Sequence, residues 1–252
     1  KEYEINARNI LHVHEDYENN LWVSTDNGLY VTTPEEEGVY NVLFRQKSGP
    51  EVMVQAILET RTLENWIGTW NGGLLFFDKF FRKINQPSPQ TGNREQDNFF
   101  SRVWDLQQQR STGYVWAACH SGYIAVIDPD TKKYIYTLHP SIFTNETIRH
   151  ITEDAAGNMW LTTLGGKLGK WNNGTPYAST SFELMQKFNS GILRLYIDGK
   201  NRIWLGTSGE GIFVLDEKGK NILHHFTSQS SQDESLAANK VTDILQFNDN
   251  IY

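Results

Sequence analysis

The chain has 252 residues, and its 23 Lys and Arg against 30 Asp and Glu give a formal net charge of −7. This acidic balance removes the electrostatic reason to expect nucleic acid or an anionic membrane surface as a partner. Apolar residues at 38% and charged residues at 21% are typical of a globular protein, and no apolar run approaches the about 20 residues that a membrane-spanning helix needs.

One sequence pattern recurs five times between the N-terminus and residue 216. Each copy has a tryptophan in a short apolar run, followed by a turn that contains glycine. The repeat cores are residues 10–32, 54–78, 103–128, 148–171 and 192–216. The aligned tryptophans are Trp22, Trp66, Trp116, Trp160 and Trp204, spaced by 44, 50, 44 and 44 residues. A near-constant period of this length predicts the blades of a β-propeller.

Each repeat predicts the same elements in the same order, most clearly at 148–171. Ile148 and Ile151 are three residues apart, which departs from strict strand alternation and predicts a bulge or bend in the first strand. Asp154 and Gly157 predict a turn in which the carboxylate accepts backbone N–H groups and the glycine adopts a positive φ. The tryptophan strand, a glycine hairpin, an apolar third strand and a more variable fourth strand complete the unit.

These elements predict an all-β fold, a β-propeller of four-stranded antiparallel blades. One large flat side chain per blade fills the gap between stacked sheets, so we expect the five aligned tryptophans to form the blade core. A sixth copy starts at 241–252 with Val241 and Ile244, and the chain begins with Lys1 rather than Met. We therefore expect a single domain over 1–252, an open partial propeller of five blades and fragments of a sixth, cut from a longer chain.

The pattern Ile-x-x-Ile-x-x-Asp-x-x-Gly-Asn-x-Trp-Leu-x-Thr, followed by a glycine hairpin, resembles the two-component regulator propeller repeat. Its best copies are residues 148–163 and 192–207, whereas the third copy departs furthest, with residues 107–110 reading Gln-Gln-Gln-Arg. No copy has the Ser-x-Asp-x-Gly-x-Thr-Trp order of the sialidase Asp-box or the Gly-His and Trp-Asp ends of WD40 blades. The resemblance covers essentially the whole chain.

The resemblance implies a function. Repeats of this kind form the extracytoplasmic sensor of hybrid two-component histidine kinases, many of which control polysaccharide utilisation in bacteria. It therefore implies a non-catalytic, periplasmic ligand-binding module of a histidine kinase and response regulator, with an oligosaccharide as ligand and no cofactor. We expect the parent protein to be membrane-anchored and dimeric, and further propeller blades of the same parent chain to be packing partners.

Candidate ligand-binding residues come from the hairpins between the second and third strands. In a propeller these hairpins lie on the same face as the connections between blades, and their residues vary while the scaffold stays constant, as is common for binding loops. Trp70 lies outside the repeat pattern beside Asn71, and an indole next to an amide is suited to stacking on a sugar ring. Packing of Trp70 on a neighbouring linker is the alternative. The other candidates, which could equally be solvated turn residues, are Asp26, Asn27, His120 and Glu210.

Two other classes of function stay open. A propeller enzyme, such as a polysaccharide lyase or glycoside hydrolase, needs acid and base groups that converge on one face, and the hairpins offer only scattered ones. His12 and His14 on one strand face could form a metal pair, but the sequence supplies no firm third ligand, so we predict no metal and no catalytic residue. A protein-interaction scaffold is the second alternative, because a fold does not determine a function.

Overall fold

The chain is almost entirely β-structure. The computed structural model describes residues 5, 7–26, 28–33, 39–41, 53–80, 82–84, 94–229, 235–247 and 250–251. Within these ranges five sheets have four strands each and a sixth sheet has two. One α-helix, α1 (Arg94–Phe100), was not predicted, and single 3₁₀ turns lie at His120–Gly122, Ser141–Phe143 and Ser179–Ser181. No helix in the described ranges has the length and apolarity that crossing a membrane requires.

The first three sheets follow one another along the chain, and we call them blades 1 to 3. Blade 1 consists of β1 (Ile10–Glu15), β2 (Leu21–Thr25), β3 (Gly28–Thr32) and β4 (Val39–Asn41). Blade 2 consists of β5 (Met53–Glu59), β6 (Asn65–Trp70), β7 (Gly73–Phe77) and β8 (Lys83–Ile84). Blade 3 consists of β9 (Val103–Gln108), β10 (Val115–Cys119), β11 (Ile124–Ile127) and β12 (Tyr134–Leu138).

Two further blades and a short hairpin follow. Blade 4 consists of β13 (Ile148–Glu153), β14 (Met159–Thr163), β15 (Lys167–Trp171) and β16 (Phe182–Lys187). Blade 5 consists of β17 (Ile192–Ile197), β18 (Ile203–Thr207), β19 (Ile212–Leu215) and β20 (Ile222–Phe226). The hairpin of β21 (Gln246–Phe247) and β22 (Asn250–Ile251) lies within the sixth repeat. The order of strands in each blade is the order in the sequence, which confirms the predicted all-β propeller fold.

The chain divides into two compact units. The described residues of 1–108, 113–119 and 125–135 form unit 1, and those of 109–112, 120–124 and 136–252 form unit 2. Unit 1 holds blades 1 and 2, unit 2 holds blades 4 and 5, and the boundary passes through blade 3. The single domain expected over 1–252 stays a prediction.

A bulge in the first strand explains the three-residue spacing of its apolar residues. In blade 4, Ile148 pairs with Thr163 and His150 pairs with Thr162, so one residue of β13 has no opposite partner. The same shift occurs in every other blade, at Leu11, Gln55, Trp104 and Leu193. The extra residue turns the strand so that positions i and i+3 face the same side, which confirms the predicted bulge.

One carboxylate organises the turn between the first two strands of blade 4. Asp154 Oδ1 accepts the backbone N–H groups of Ala156 and Asn158, both at 2.9 Å. Asp154 Oδ2 accepts Asn158 Nδ2 and the indole Nε1 of Trp160, both at 2.8 Å. Burial acts to raise the pKa of Asp154, but the hydrogen bonds from Asn158 and Trp160 outweigh it and hold the pKa below its ordinary value. The indole contact was not predicted from the sequence.

The same carboxylate–indole contact recurs in other blades. Asp16 Oδ2 accepts Trp22 Nε1 at 2.8 Å in blade 1, and Asp198 Oδ2 accepts Trp204 Nε1 at 2.9 Å in blade 5. Blade 2 has a threonine in place of the aspartate, and there Glu64 Oε2 accepts the indole N–H of its tryptophan at 3.1 Å. The repeat therefore places a hydrogen-bond acceptor beside the indole N–H, which is the one polar group of a tryptophan side chain and needs a partner when it is buried.

The aligned tryptophans are buried, with exposed fractions of 0% in blades 1 to 4 and 9% for Trp204. In unit 2, Trp160 of blade 4 shares a cluster with Ile192 and Leu195 from the first strand of blade 5. In unit 1, Trp22 of blade 1 packs in the same way with the first strand of blade 2. The repeated core thus consists of the tryptophan face of one blade and the first strand of the next.

Candidate ligand-binding site

Trp70 belongs to an aromatic and cationic cluster in unit 1. Its ring meets the ring of Trp104 edge to face, with centroids 5.2 Å apart and an interplanar angle of 75°. The guanidinium of Arg102 lies 4.9 Å from the centroid of the Trp70 ring, and Arg102 Nε donates to Asn71 Oδ1 at 3.0 Å. Asn71 is exposed and the other three side chains are half-buried. We call these four residues the Trp70 cluster.

The turn between β6 and β7 holds the cluster in place. Asn71 and Gly73 both have a positive φ, of 67° and 69°, which asparagine and glycine adopt at low cost. Thr69 Oγ1 donates to the carbonyl oxygen of Gly73 at 2.8 Å and closes the turn. The N–H of Gly73 donates to the carbonyl oxygen of Ser101 at 2.9 Å. The turn is therefore attached to the segment that enters blade 3.

Trp104 reaches the cluster because it is the bulge residue of β9. Val103 pairs with Cys119 and Asp105 pairs with Ala118, so Trp104 is the extra residue between them in the register with β10. Bulges redirect side chains and are common next to functional sites. The bulge explains how a tryptophan of blade 3 comes to face the end of a strand of blade 2.

The sequence identified half of this cluster. Trp70 and Asn71 were predicted as ligand-binding residues, whereas Arg102 and Trp104 were missed. A signal was present, because the repeat that contains Trp104 has its aligned tryptophan at position 116. Trp104 is therefore a second tryptophan outside the repeat pattern, and Arg102 precedes it by two positions. Both residues could have been grouped with Trp70 as candidates.

Asp26 holds the segment that leads into blade 1. Its Oδ1 accepts the backbone N–H of Arg8 at 3.1 Å, and its Oδ2 accepts Asn9 Nδ2 at 2.9 Å. Desolvation acts to raise the pKa of Asp26, but the hydrogen bonds from Asn9 and Arg8 outweigh it, so the pKa lies below its ordinary value. Its neighbour Asn27, also predicted as a candidate, lies outside the described residues.

His120 and Glu210 are also engaged within unit 2. His120 Nδ1 and Thr147 Oγ1 are 2.8 Å apart, in a turn where Ser121 has a φ of 56°. Glu210 Oε2 accepts the backbone N–H of Ser190 at 2.8 Å. These contacts attach the hairpin of blade 3 to the linker into blade 4, and the hairpin of blade 5 to its own linker. The structure thus brings Trp70 together with Asn71 but leaves Asp26, His120 and Glu210 in separate hairpins.

Unit 2 contains a cavity of about 450 Å³ that the sequence did not indicate. It lies between the turns of blades 4 and 5, at the ends of the blades where the carboxylate–indole contacts are. Lys170 Nζ lies 4.9 Å from the centroid of the Trp160 ring in its wall. The remaining lining residues include Ala155, Ile197 and Lys218. Within the described part of the chain, no three His, Cys, Asp or Glu side chains are grouped so as to hold a metal ion.

Comparison with known proteins finds similarity in structure only. No protein-family model and no curated protein sequence matches the chain. The extracellular domain of the putative hybrid two-component system BT4673 from B. thetaiotaomicron has a TM-score of 0.67 and 17% identity, and the match covers 99% of this chain and 37% of that one. The corresponding domain of BT3049 from the same organism has a TM-score of 0.67 and 18% identity, covering 98% of this chain and 32% of that one.

A third solved structure has a different role. PorZ of Porphyromonas gingivalis, an essential surface component of the type-IX secretion system, has a TM-score of 0.66 and 15% identity, covering 95% of this chain and 36% of that one. The chain thus spans 32–37% of the length of each of these structures. The chain is a β-propeller with the fold of the extracellular domains of the putative hybrid two-component systems BT4673 and BT3049, which confirms, at the level of the fold, its resemblance to two-component regulator propeller repeats.

Proposed function

We propose that this chain is the ligand-binding part of an extracytoplasmic sensor in a hybrid two-component system. Its ligand is an oligosaccharide, and its parent protein is a membrane-anchored, dimeric histidine kinase and response regulator that regulates polysaccharide-utilisation genes. The sensor lies in the periplasm and has no catalytic residue of its own. Ligand binding shifts the packing of propeller units or receptor partners, which requires a different ligand affinity in the two states.

The fold supports the sensor part of this proposal. Two structures that match nearly the whole chain are extracellular domains of putative hybrid two-component systems. Both are longer than this chain, as expected for a parent with more than one propeller segment. The propeller also suits a binding role, since it presents variable turns on a rigid set of sheets.

The Trp70 cluster is the observation that carries the choice of an oligosaccharide. Two half-buried indoles meet at an angle of 75° and form an aromatic corner, and the apolar face of a pyranose ring packs on aromatic surfaces. Arg102 and Asn71 border the corner with hydrogen-bonding groups. An aromatic surface with a few fixed polar groups is the usual composition of a small-molecule site.

A propeller enzyme is supported less well. Its acid and base candidates, Asp26, His120 and Glu210, each take part in hydrogen bonds that attach a hairpin to a linker. The thiol of Cys119 is buried, and burial raises its pKa, which is the opposite of the shift that activates a cysteine nucleophile.

A protein-interaction scaffold is the second candidate, and the similarity to PorZ favours it. PorZ is described as a component of a secretion system, so the same fold serves at least one assembled machine. Co-purification of a folded partner, without any response to glycans, would support this candidate over the sensor.

The exposed face of blade 1 supports a longer propeller in the parent protein. Ile10 and Val13 are 62% and 53% exposed, whereas the equivalent residues of blade 5 lie under the tryptophan face of blade 4. We infer that Ile10 and Val13 pack against another four-stranded repeat of the same polypeptide, whose aligned tryptophan covers them. A longer chain that includes this repeat should protect the backbone amides of β1 from hydrogen exchange, and equal protection in both chains would contradict the assignment.

Isothermal titration calorimetry of the chain against a panel of neutral and acidic glycan oligomers tests the proposed ligand. We expect heat with at least one member and a loss of that heat in Trp104→Ala, with Phe80→Ala, an exposed aromatic residue outside the cluster, as the control. No heat with any member would remove the oligosaccharide proposal.

The codons that follow residue 252 in the gene test the proposed parent protein. We expect them to encode a membrane span and a histidine kinase core.

A further inference from the structure

We propose that the Trp70 cluster binds an acidic sugar, with Arg102 as the receptor for the carboxylate of a uronic acid residue. This inference rests on the proposed oligosaccharide function and names the class of sugar. The sugar ring packs in the corner between Trp70 and Trp104, and its carboxylate meets the outer edge of the guanidinium.

Arg102 differs from the other arginines whose partners are known. Arginines 82, 110, 194 and 202 each form an ion pair with a carboxylate in the described part of the chain. Arg102 instead has the ring of Trp70 and the amide oxygen of Asn71 as partners. No described carboxylate lies within ion-pair distance of it. In a protein with a net charge of −7, this half-buried guanidinium is therefore open to pairing with an anionic ligand.

The hydrogen bond to Asn71 leaves the two terminal amino groups of the Arg102 guanidinium available to a ligand. Arg102 Nε is used by Asn71 Oδ1, and no described residue accepts a hydrogen bond from the two terminal amino groups. These two groups can form parallel hydrogen bonds to both oxygens of one carboxylate, which is the geometry that arginine forms best. The side chain is already held by the indole and the amide, so little conformational entropy is lost on binding.

The neighbouring indoles supply the second half of the recognition. Trp104 meets Trp70 at 75°, and the guanidinium of Arg102 lies over the Trp70 ring, so the cluster combines two indoles with one cation. A pyranose ring with a carboxylate on its C5 carbon can present an apolar face to an indole and a planar anion to a guanidinium. A neutral sugar would use the aromatic corner but leave the guanidinium without an anion.

Calorimetry with matched sugars tests the charge directly. The probes are trimers of galacturonate, mannuronate and guluronate, each compared with its fully methyl-esterified form, which keeps the ring and removes the charge. We expect at least one acid trimer to bind at least about tenfold more tightly than its methyl ester, with an affinity that falls as sodium chloride is raised. Equal affinities of the acid and the ester for every trimer that binds would overturn the inference.

Substitutions in the Trp70 cluster test whether the affinity depends on the charge of Arg102 rather than on the stability of the fold. Arg102→Gln should reduce the affinity for the acid trimer by about tenfold or more, and Arg102→Lys should recover part of it, because lysine keeps the charge but not the paired geometry. Asn71→Asp should also reduce it, because the new carboxylate would neutralise Arg102 from within the protein. The matched control is Arg82→Gln, at the opposite end of β7, and unchanged melting temperatures exclude unfolding as the cause.

The outcomes distinguish this inference from the function on which it rests. Binding of neutral trimers alone would keep the oligosaccharide sensor and reject the acidic sugar. Binding of a sulfated neutral oligosaccharide, with no binding of any uronate, would reject the carboxylate as the recognised anion. Undiminished binding of the acid trimer to Arg102→Gln would also reject it. No binding of any sugar would overturn the proposed function itself.

Discussion

Blades 1 and 5 have the same first-strand pattern but differ in what covers it. In blade 5, Ile192 is fully buried and Leu195 is 4% exposed, in a cluster with Trp160 of blade 4. In blade 1, the equivalent Ile10 and Val13 are 62% and 53% exposed. Both strands nevertheless have the same bulge and the same carboxylate–indole contact in the turn that follows.

The difference distinguishes the structural features that one repeat forms by itself from those that need a neighbouring repeat. The bulge and the turn depend on residues within one blade, so they form in both places. Burial of the first strand depends on the tryptophan face of another blade, as the first strand of blade 5 packs with Trp160 and that of blade 2 with Trp22. The apolar pair therefore contributes to stability only where a neighbouring sheet covers it.

The largest expected effect comes from truncating the covered residue. Ile192→Ala should lower the free energy of unfolding by about 2–5 kcal/mol, because it opens a cavity in a closed cluster. Ile10→Ala is the matched control and should cost about 0.5 kcal/mol or less, because Ile10 is already exposed to solvent. Urea denaturation followed by tryptophan fluorescence measures both. Equal losses of unfolding free energy in the two variants would show that the two first strands are equally covered and would contradict this interpretation.

A smaller effect is expected from the contact that the blades share. Asp154→Asn replaces one acceptor oxygen by an amino group that faces the indole N–H of Trp160, leaving a buried donor unsatisfied. The free energy of unfolding should fall by about 1–3 kcal/mol. The control is Asp130→Asn, an exposed turn residue, which should leave stability unchanged within about 0.5 kcal/mol. An unchanged stability of Asp154→Asn would mean that the contact adds nothing to the turn.

The same carboxylates predict a dependence of stability on pH. In Asp154 and Asp198, hydrogen bonds outweigh the effect of burial, and the pKa lies below its ordinary value. A carboxylate with a lowered folded pKa stabilises the fold above its unfolded pKa, and this contribution is lost as the pH falls through the folded value. The free energy of unfolding should therefore decrease from about pH 5 downwards. Asp154→Asn should show a shallower decrease in the same urea titrations, and an identical slope would contradict the assignment.

The smallest effect on stability is expected at the exposed face of blade 1. The double substitution of Ile10 and Val13 by serine should change the free energy of unfolding by about 0.5 kcal/mol or less, because both side chains are exposed. It should also reduce the binding of an apolar fluorescent dye to the folded chain, since it removes an exposed apolar patch. A large loss of stability would show that this face is covered in solution.

The sequence predicted the blade in some detail because the blade is built locally. The period, the strand order, the bulge and the turn depend on residues within about 20 positions of one another, as in the set from Ile148 to Trp160. The positive φ expected at the turn is present at Gly157, at 86°. The indole contact of Asp154 was missed, because the spacing alone does not show that a side chain six residues away points back to the carboxylate.

The candidate site was predicted only in part because its residues come from two blades. Trp70 and Asn71 are adjacent, and one of them breaks the repeat pattern, so the sequence could single them out. Arg102 lies 31 residues after Asn71 and meets it only because the turn of blade 2 is attached to the segment that enters blade 3. Asp26 and Glu210 stay predicted ligand-binding residues, and the structure adds that each accepts a hydrogen bond from a linker, a contact that the spacing cannot reveal.

The amino-acid sequence by itself determined the fold class, the five repeats and the tryptophans around which they are built. Strand periodicity and turn chemistry are properties of neighbouring residues, and neighbouring residues can be read from the chain. Only the tertiary structure decided which first strands are covered and that a guanidinium lies on the ring of Trp70. Such contacts join residues that are distant along the chain, and they exist only once one sheet lies against another.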